Sequence, residues 1–425
     1  MHDVNLTLAL AMVVVMALGL LSARLKPSIL SVPLLALAAG LAAGPEVAGL
    51  IDPDAWSHKD QILEQAARFT LALSVMGIAI RTPIRDLRAL LAPVALLLTL
   101  GMLGMWVAGS LVAWAVLGLT PLMALLLGAI ITPTDPVVAS SIVTGRFATR
   151  HLPDRVRSTL SLESGANDGL GYLLVLLPIL LLHHAPLVGH DLQAAVQRWL
   201  IDVVLIGVLL AIVIGGVLGT LAGVALRTAD RSHLVEEHSF LSFSVALSLL
   251  ALSGAKLAGS DGILAAFAAG LALNLTINRK EEQAEEDIQE AISKLFNLPI
   301  FVLLGLALPV AEWREVGWSG LLFAGLILLI RRPPVLLALA PGLRAHLERA
   351  DIAFLAWFGP VGVAALYYAM LAKAKTGDDL LPEVSLVIVA SIIAHGLSAA
   401  PLTRLHARRA PAAAGSRGEA ERQRA

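Results

Sequence analysis

The stretch that decides the fold is Ser158–Leu182, STLSLESGANDGLGYLLVLLPILLL, an apolar segment that contains Glu163, Asn167 and Asp168. A segment of this length and hydropathy is typical of a helix that crosses a lipid bilayer. A charged side chain near the bilayer centre costs at least ~2.5–3.5 kcal/mol, so carboxylates there usually face a cavity and bind something. The segment therefore predicts a membrane helix that carries a buried functional site.

Two other apolar segments are interrupted, one at 131–136 (ITPTDP) and one at 358–362 (FGPVG). They fall in the fifth and twelfth predicted spans, which cross the membrane in opposite directions because seven spans separate them. Paired interruptions of this kind indicate an inverted repeat, with a binding site where the two breaks meet. The alternative is a pair of ordinary proline kinks, and Asp135 beside the first break argues against it.

The composition is that of a polytopic membrane protein. The 425 residues are 57% hydrophobic and 15% charged, with a mean hydropathy of +0.81, whereas a soluble domain is about a quarter charged. Cysteine is absent, which excludes disulfides and thiolate metal sites. No nucleotide-binding loop, Cys/His metal spacing or basic nucleic-acid patch occurs. We therefore expect no enzyme activity, no cofactor, no ATP drive and no nucleic-acid partner.

About 20 apolar residues per span give about 13 transmembrane helices in an all-α protein. Residues 1–404 then form one transmembrane domain, and residues 405–425 form a basic, disordered cytoplasmic tail. A twelve-span alternative remains because the split between the eighth and ninth spans is short. The predicted spans are 4–22, 28–44, 61–80, 90–118, 122–143, 158–182, 199–226, 239–257, 260–276, 291–309, 316–340, 350–372 and 383–402.

The basic residues segregate to one side of this arrangement. Of the 31 lysines and arginines, 21 fall in the connections after odd-numbered spans and in the tail, and six fall in the other connections. Cytoplasmic loops carry the excess of Lys and Arg, so we expect a cytoplasmic C-terminus and an outward N-terminus in a bacterial-type plasma membrane. The acidic loop 279–290 reads as a solvated cytoplasmic helix, for which a proton-sensing role is an alternative.

The polar residues of the sixth span suit a cation that alternates with a proton. On a helix, Glu163 shares a face with Asn167, and Ser164 shares a face with Asp168. Hard cations prefer oxygen ligands, which Asp168, Ser164 and freed groups at 132–134 could supply. A carboxylate that binds either H⁺ or a metal cation is the minimum machinery for exchange. The alternative is a plain Asn-Asp-Gly turn, which the apolar flanks disfavour.

Two further features bear on packing. Arg331 and Arg332 interrupt the eleventh span, and a membrane arginine needs an anionic partner, for which Glu163 is the candidate. A Glu163–Arg332 pair would be a structural strut beside the site, although one of the two arginines could instead snorkel to an interface. A stripe of small residues at Gly215, Gly219 and Gly223 predicts close helix packing, within the subunit or between subunits.

At Thr134–Val138 (TDPVV) and Glu163–Gly169 (ESGANDG), the sequence resembles the monovalent cation:proton antiporter family, in particular its NhaP-type and sodium/proton exchanger branch. The resemblance covers nearly the whole chain in the expected order, and the thirteen spans fit that branch. Further similarity lies in GILAAFAAGL at 262–271, in Arg332-Pro333, in WFGP at 357–360 and in HGL at 395–397.

The resemblance implies an antiporter fold with two crossing interrupted helices, in a homodimer that serves pH and cation homeostasis. It implies that Asp168 exchanges Na⁺ (or K⁺ or Li⁺) for H⁺ and that Asn167 stabilises the crossing. It makes Ser164 and the Thr134 region, with Thr132, ligands of the cation, and Glu163 the partner of Arg332. Members with Asn-Asp are electroneutral.

Two departures put the ion preference and pH set-point in doubt. Many relatives carry Gly-Pro-Arg-Gly where this chain has Val361 in place of the arginine. Some carry an acidic residue in the third span, where this chain reads LSVMG at 73–77. We expect Asp135 to be held by N–H groups at the adjoining half-helix N-terminus, which leaves Asp168 as the free carboxylate.

The predicted function is therefore exchange of one monovalent cation for one proton. A passive cation channel and a cation-coupled solute symporter are the alternatives that use the same buried carboxylates. An intramembrane protease is disfavoured because the sequence contains neither a Gly-x-Gly-Asp setting nor a Gly-x-Ser-Gly nucleophile.

Overall fold

The computed structural model describes residues 2–21, 31–82, 87–143, 145–184, 190–232, 239–277 and 295–409. All regular elements within these ranges are helical. The helices are α1 (His2–Leu20), α2 (Val32–Ala43), α3 (Lys59–Arg81), α4 (Leu87–Leu117), α5 (Pro121–Ile130), α6 (Pro136–Val143), α7 (Gly145–His151), α8 (Asp154–His184), α9 (190–231), α10 (Ser239–Leu257), α11 (Gly262–Thr276), α12 (Leu295–Leu306), α13 (Val310–Ala338), α14 (Ala340–Leu343), α15 (Arg349–Trp357), α16 (Val363–Thr376) and α17 (Leu381–Arg409). A short 3₁₀ turn lies at Pro53–Ala55.

These helices account for the thirteen predicted spans. Six are long and apolar enough to cross a membrane alone, and six shorter apolar helices accompany them in the described ranges. The pair α15 and α16 makes up the broken twelfth span. The eighth and ninth spans are separate helices, α10 and α11, joined by a turn in which Gly259 has φ +78°. The twelve-span alternative is therefore wrong.

Both predicted interruptions are breaks in a helix. The fifth span ends as a helix at Ile130 and resumes at Pro136, and the twelfth ends at Trp357 and resumes at Val363. Proline lacks an N–H group and disfavours helical geometry in the residue before it, which explains why the chain opens at these sequences. The breaks touch each other, since the Asp135 N–H donates to the Pro360 carbonyl over 2.7 Å.

The eleventh span, α13, departs from regular α-helical geometry where its two arginines lie. Its helix widens to π geometry over Ile327–Arg331 and resumes at Pro333. Two consecutive prolines at 333 and 334 remove two backbone donors, so the regular hydrogen-bond ladder cannot pass through this point. The widened turn places consecutive arginines in the interior, where Arg331 is 3% exposed and Arg332 is 2% exposed. π-helical turns occur frequently at functional sites.

The small-residue stripe of α9 packs within the subunit. Gly215 and Gly219 lie against the backbone of Ala265 and Ala269 in α11, and Gly223 lies against Thr276. Any side chain at the first two positions would overlap α11, because an added Cβ would lie 2.2 and 2.1 Å from the carbonyl oxygens. This contact joins the seventh and ninth spans and answers the question that the sequence left open.

Two predicted features lie partly or wholly outside the described residues. The acidic loop 279–290 falls within the undescribed range 278–294. The last helix continues to Arg409, five residues beyond the predicted domain boundary at 404, and residues 410–425 are outside the described part.

Candidate functional site

Asp168 lies on α8 in the interior of the protein, with 0% of its surface exposed. Neither of its carboxylate oxygens has a hydrogen-bond partner within the described part of the chain. A buried polar group without a partner is costly in a folded protein. An aspartate that is fully buried and left open in this way is arranged to receive a proton or a cation.

The oxygen-bearing residues predicted to surround Asp168 are brought together by direct hydrogen bonds. The Thr134 N–H donates to Asn167 Oδ1 over 3.2 Å, and Asn167 Nδ2 donates to Thr134 Oγ1 over 2.6 Å. Thr134 Oγ1 also lies 3.3 Å from Ser164 Oγ. The two-way contact of Asn167 with Thr134 fixes the first break against α8. The Ser164 hydroxyl is one helical turn before Asp168 on α8, and the Thr134 hydroxyl lies beside it.

The second break reaches the same point of α8 through Tyr368. Its hydroxyl group donates to the backbone carbonyl of Asp168, and its side chain is fully buried. Sequence reasoning missed this residue. The signal was available, because the chain has only three tyrosines and a buried tyrosine usually requires a hydrogen-bond partner.

Asp135 caps the N-terminal end of one half-helix and lies beside the N-terminal end of another. Its Oδ1 accepts from the Val137 N–H over 3.0 Å at the start of α6. Its Oδ2 lies against Gly362 at the start of α16, where an added Cβ would be 1.9 Å away. Only glycine fits there, and the carboxylate sits where the positive ends of two helix dipoles converge. Asp135 is also within electrostatic range of Asp168.

Glu163 and Arg332 form a two-point ion pair. Arg332 Nη1 lies 2.5 Å from Glu163 Oε1, and Nη2 lies 2.7 Å from Oε2. Both side chains are buried, at 0% and 2% exposure. Arg332 Nε donates to the Leu355 carbonyl over 2.8 Å, which ties the pair to α15. Gly359 admits the arginine, since an added Cβ would lie 2.1 Å from Arg332 Cδ.

Arg331 does not snorkel to a surface, and it is the second residue that sequence reasoning left without a role. Its guanidinium donates only to backbone carbonyls in the contacts that the structure describes. Nη1 reaches the carbonyls of Ile131 at 2.6 Å, Thr132 at 2.8 Å and Pro133 at 3.4 Å. Nη2 donates to the Gly359 carbonyl in the second break. Arg331 thus binds the C-terminal ends of both half-helices.

The remaining predicted residues have local roles in this arrangement. Thr132 Oγ1 donates to the Gly128 carbonyl over 2.7 Å, which leaves the hydroxyl lone pairs as the group that it can offer to a cation. The imidazole of His395 lies 3.0 Å from the Trp357 carbonyl and 2.9 Å from the Ser391 carbonyl. His395 therefore secures the end of α15 to α17.

Of the three carboxylates at the crossing, one is left without any partner. Glu163 pairs with Arg332, and Asp135 accepts from the Val137 N–H. Asp168 alone has no counter-charge and no hydrogen-bond donor in the described part of the chain. Two broken helices that cross beside a free, buried carboxylate are typical of secondary transporters of cations with an inverted-repeat fold.

The chain belongs to the sodium/hydrogen exchanger family. The family model for the transmembrane sodium/hydrogen exchanger matches residues 9–405. The fold is similar to that of the sodium proton antiporter MjNhaP1 from Methanocaldococcus jannaschii at pH 8, with a TM-score of 0.69 over 96% of this chain and 99% of that one, at 20% identity.

Curated relatives include fungal and bacterial proteins. The Na⁺/H⁺ antiporter 2 of Zygosaccharomyces rouxii is 30% identical over 350 residues, which cover 81% of this chain and 43% of the fungal protein. The K⁺/H⁺ antiporter NhaP2 of Shewanella oneidensis is 30% identical over 404 residues, which cover 93% of this chain and 66% of the bacterial protein. The chain thus spans less than half the length of the fungal relative.

Proposed function

We propose that this protein is a secondary antiporter that exchanges one monovalent cation for one proton. The observation that carries the proposal is Asp168, a fully buried carboxylate with two open oxygens at the crossing of two broken helices. Sodium is the first candidate cation, and potassium and lithium are the others, because relatives are named for both Na⁺ and K⁺.

Asp168 performs the exchange by holding either ion and never both. A proton on one of its oxygens neutralises the carboxylate, and a cation against both oxygens does the same. The hydroxyls of Ser164 and Thr134 complete the cation's oxygen shell, with Thr132 as a further donor of oxygen. Asn167 holds the first break next to α8 through its two hydrogen bonds to Thr134. In either loaded form the negative charge of Asp168 is neutralised. An unneutralised charge would oppose movement of the site through the low-dielectric interior.

The finer setting of the transporter is part of the proposal. The segregation of basic residues supports a cytoplasmic C-terminus and an outward N-terminus in a bacterial inner membrane. A homodimer is also part of the proposal, and the exposed apolar face of α9, which includes Leu209, Val213 and Leu221, is available to lipid or to a second copy of the chain. The transported ions are substrates, and the exchange needs no cofactor. Its physiological use would be pH and cation homeostasis.

A proton-flux assay in proteoliposomes tests the proposal. The purified chain is reconstituted with a pH-sensitive dye inside, a proton gradient is imposed, and Na⁺, Li⁺ and K⁺ are titrated separately. We expect the gradient to dissipate only when a transported cation is added, with a saturable dependence on its concentration. Cation movement without proton movement would indicate a channel, and proton flux that ignores every cation would contradict exchange.

A further inference from the structure

Arg331 joins the two breaks through hydrogen bonds to backbone carbonyls. Its contacts run to Ile131, Thr132 and Pro133 in the first break and to Gly359 in the second. None of the ion pairs in the described part of the chain includes Arg331, although its side chain is only 3% exposed. A buried arginine with backbone partners alone is holding the backbone in place.

The need for such a group follows from the breaks themselves. The last carbonyls of a helix have no partner within the helix and carry the negative end of its dipole. Here two helix C-terminal ends, those of α5 and α15, meet in the buried interior, where an unpaired backbone group is costly. A guanidinium has five donors in a planar fork and stays charged. It can satisfy several carbonyls and offset both dipole ends at once.

The same contacts set the position of the cation ligands. The carbonyls that Arg331 binds belong to the three residues directly before Thr134. Thr134 in turn contacts Asn167 and Ser164 across the break. A shift of the segment 131–133 would therefore move the Thr134 hydroxyl relative to Asp168.

We propose that Arg331 is the positioning residue of the cation site, and that a guanidinium bound to the carbonyls of both breaks is what holds the site in its binding geometry. This inference rests on the proposed exchange function and deepens it. It predicts that the site requires a guanidinium at the crossing of the two breaks, and that this guanidinium can be supplied by a helix other than α13. Val361 offers a second origin, since it is fully buried within the second break and lies two residues after Gly359.

The test relocates the arginine from one helix to the other. Four proteins are reconstituted and compared per folded molecule: the unmodified chain, Arg331→Ala, Val361→Arg, and the double variant Arg331→Ala/Val361→Arg. We expect Arg331→Ala to lower the cation-driven proton flux about 10- to 100-fold and to raise the half-saturating cation concentration, since small misplacements of a reacting group have effects of this size. Val361→Arg alone should also impair transport, because it buries a second guanidinium where one is already bound.

The double variant should transport several-fold better than either single variant, with the half-saturating concentration moving back towards that of the unmodified chain. Arg331→Lys keeps the charge with only three donors and no fork, so it should fall between Arg331→Ala and the unmodified chain. Arg314→Ala is the matched control on the same span, because Arg314 is 75% exposed and its only described ion pair, with Glu46, spans 3.5 Å.

Two results would overturn the inference. One is an Arg331→Ala protein with normal flux and half-saturation per folded molecule, which would make the arginine a fold-stabilising residue only. The other is a double variant no better than the single ones. If Arg331→Ala does not fold, rescue of folding and transport by Val361→Arg still decides. Absence of cation-driven proton flux in the unmodified chain would instead refute the exchange function. Cation binding to the four purified proteins, measured by calorimetry in detergent, would still test the relocation.

Discussion

The crossing around Asp168 and the acidic cluster around Asp351 both contain aspartate, glutamate and arginine. They differ in the number of hydrogen bonds that each aspartate accepts. Asp351 lies at the first turn of α15 and is 1% exposed. It accepts from Arg155 Nε at 2.7 Å and from the Glu348 N–H at 3.0 Å, and it lies 2.9 Å from His406 Nε2. Asp168, equally buried, accepts nothing on its carboxylate in the described part of the chain.

The two aspartates differ in their partners, and this difference supports a structural role for Asp351 and the proposed binding role for Asp168. Asp351 connects three helices, because Arg155 begins α8 and His406 lies near the end of α17. Arg155 is 40% exposed, so the cluster stands at the protein surface and can exchange partners with water. Asp168 has no protein partner on its carboxylate in the described part of the chain, and a proton or a cation would neutralise its charge.

The largest contrast is expected from the same substitution in the two regions. Asp168→Asn should abolish cation-driven proton flux, by at least about 100-fold, because an amide cannot trade a proton for a cation. Its folding should be unchanged or improved, since the substitution removes an unpaired buried charge. Asp351→Asn should retain exchange. The measurement is proteoliposome flux with melting in detergent, and substantial flux in Asp168→Asn would end the assignment of that residue.

The strut beside the site gives the next largest effect, on stability. Removing either member of the Glu163–Arg332 pair leaves a buried charge without compensation, at a cost of roughly 3–5 kcal/mol. Glu163→Leu, Arg332→Met and the double variant form a cycle. The double variant should recover most of the sum of the two losses, apart from about 1–3 kcal/mol for the Leu355 carbonyl that loses its donor. Strictly additive losses would show that the two residues are not energetic partners.

The sequence predicted the fold more fully than it predicted the hydrogen bonds and ion pairs where the two broken helices cross. Prolines at 133, 136 and 360 determine where helices open, and this local rule made both breaks visible. Glu163, Asn167 and Asp168 stand out because the membrane tolerates so few polar residues. The choice between Arg331 and Arg332 could not be made, since it depends on the π-helical turn at Ile327–Arg331. That turn rotates two adjacent side chains towards different partners, and periodicity does not encode it.

The cluster at Asp351 should give a smaller loss than the strut, because one of its partners reaches water. Asp351→Asn removes the charge that Arg155 and His406 face, and hydrogen bonds to charged groups contribute about 1.5–3 kcal/mol when buried. We expect a loss in the lower part of that range by melting in detergent. Asp154→Asn is the matched control in the same turn of α8, since Asp154 is 72% exposed in its pair with Arg157 and surface pairs contribute about 0–1 kcal/mol. Equal losses of stability in Asp351→Asn and Asp154→Asn would show that the buried cluster contributes no more than a surface ion pair.

The smallest expected effect is that of membrane potential on transport, which should be none. The crossing holds the carboxylates of Asp135, Glu163 and Asp168 and the guanidiniums of Arg331 and Arg332. Asp168 is the one of the three carboxylates that has neither an ion-pair partner nor a hydrogen-bond donor in the described part of the chain. One H⁺ or one monovalent cation on Asp168 gives the same charge in both directions of movement, so exchange carries no current.

Flux would be measured in liposomes clamped at different potentials with valinomycin and K⁺, provided that K⁺ is not itself transported. Asn167→Asp sharpens the test, because it adds a second carboxylate beside Asp168 while keeping an acceptor for the Thr134 N–H. An active Asn167→Asp protein should respond to potential where the unmodified chain does not. A several-fold response in the unmodified chain would mean that Asp135 also takes up a proton, despite its place at the two helix N-terminal ends, and the one-for-one mechanism would fail at that residue.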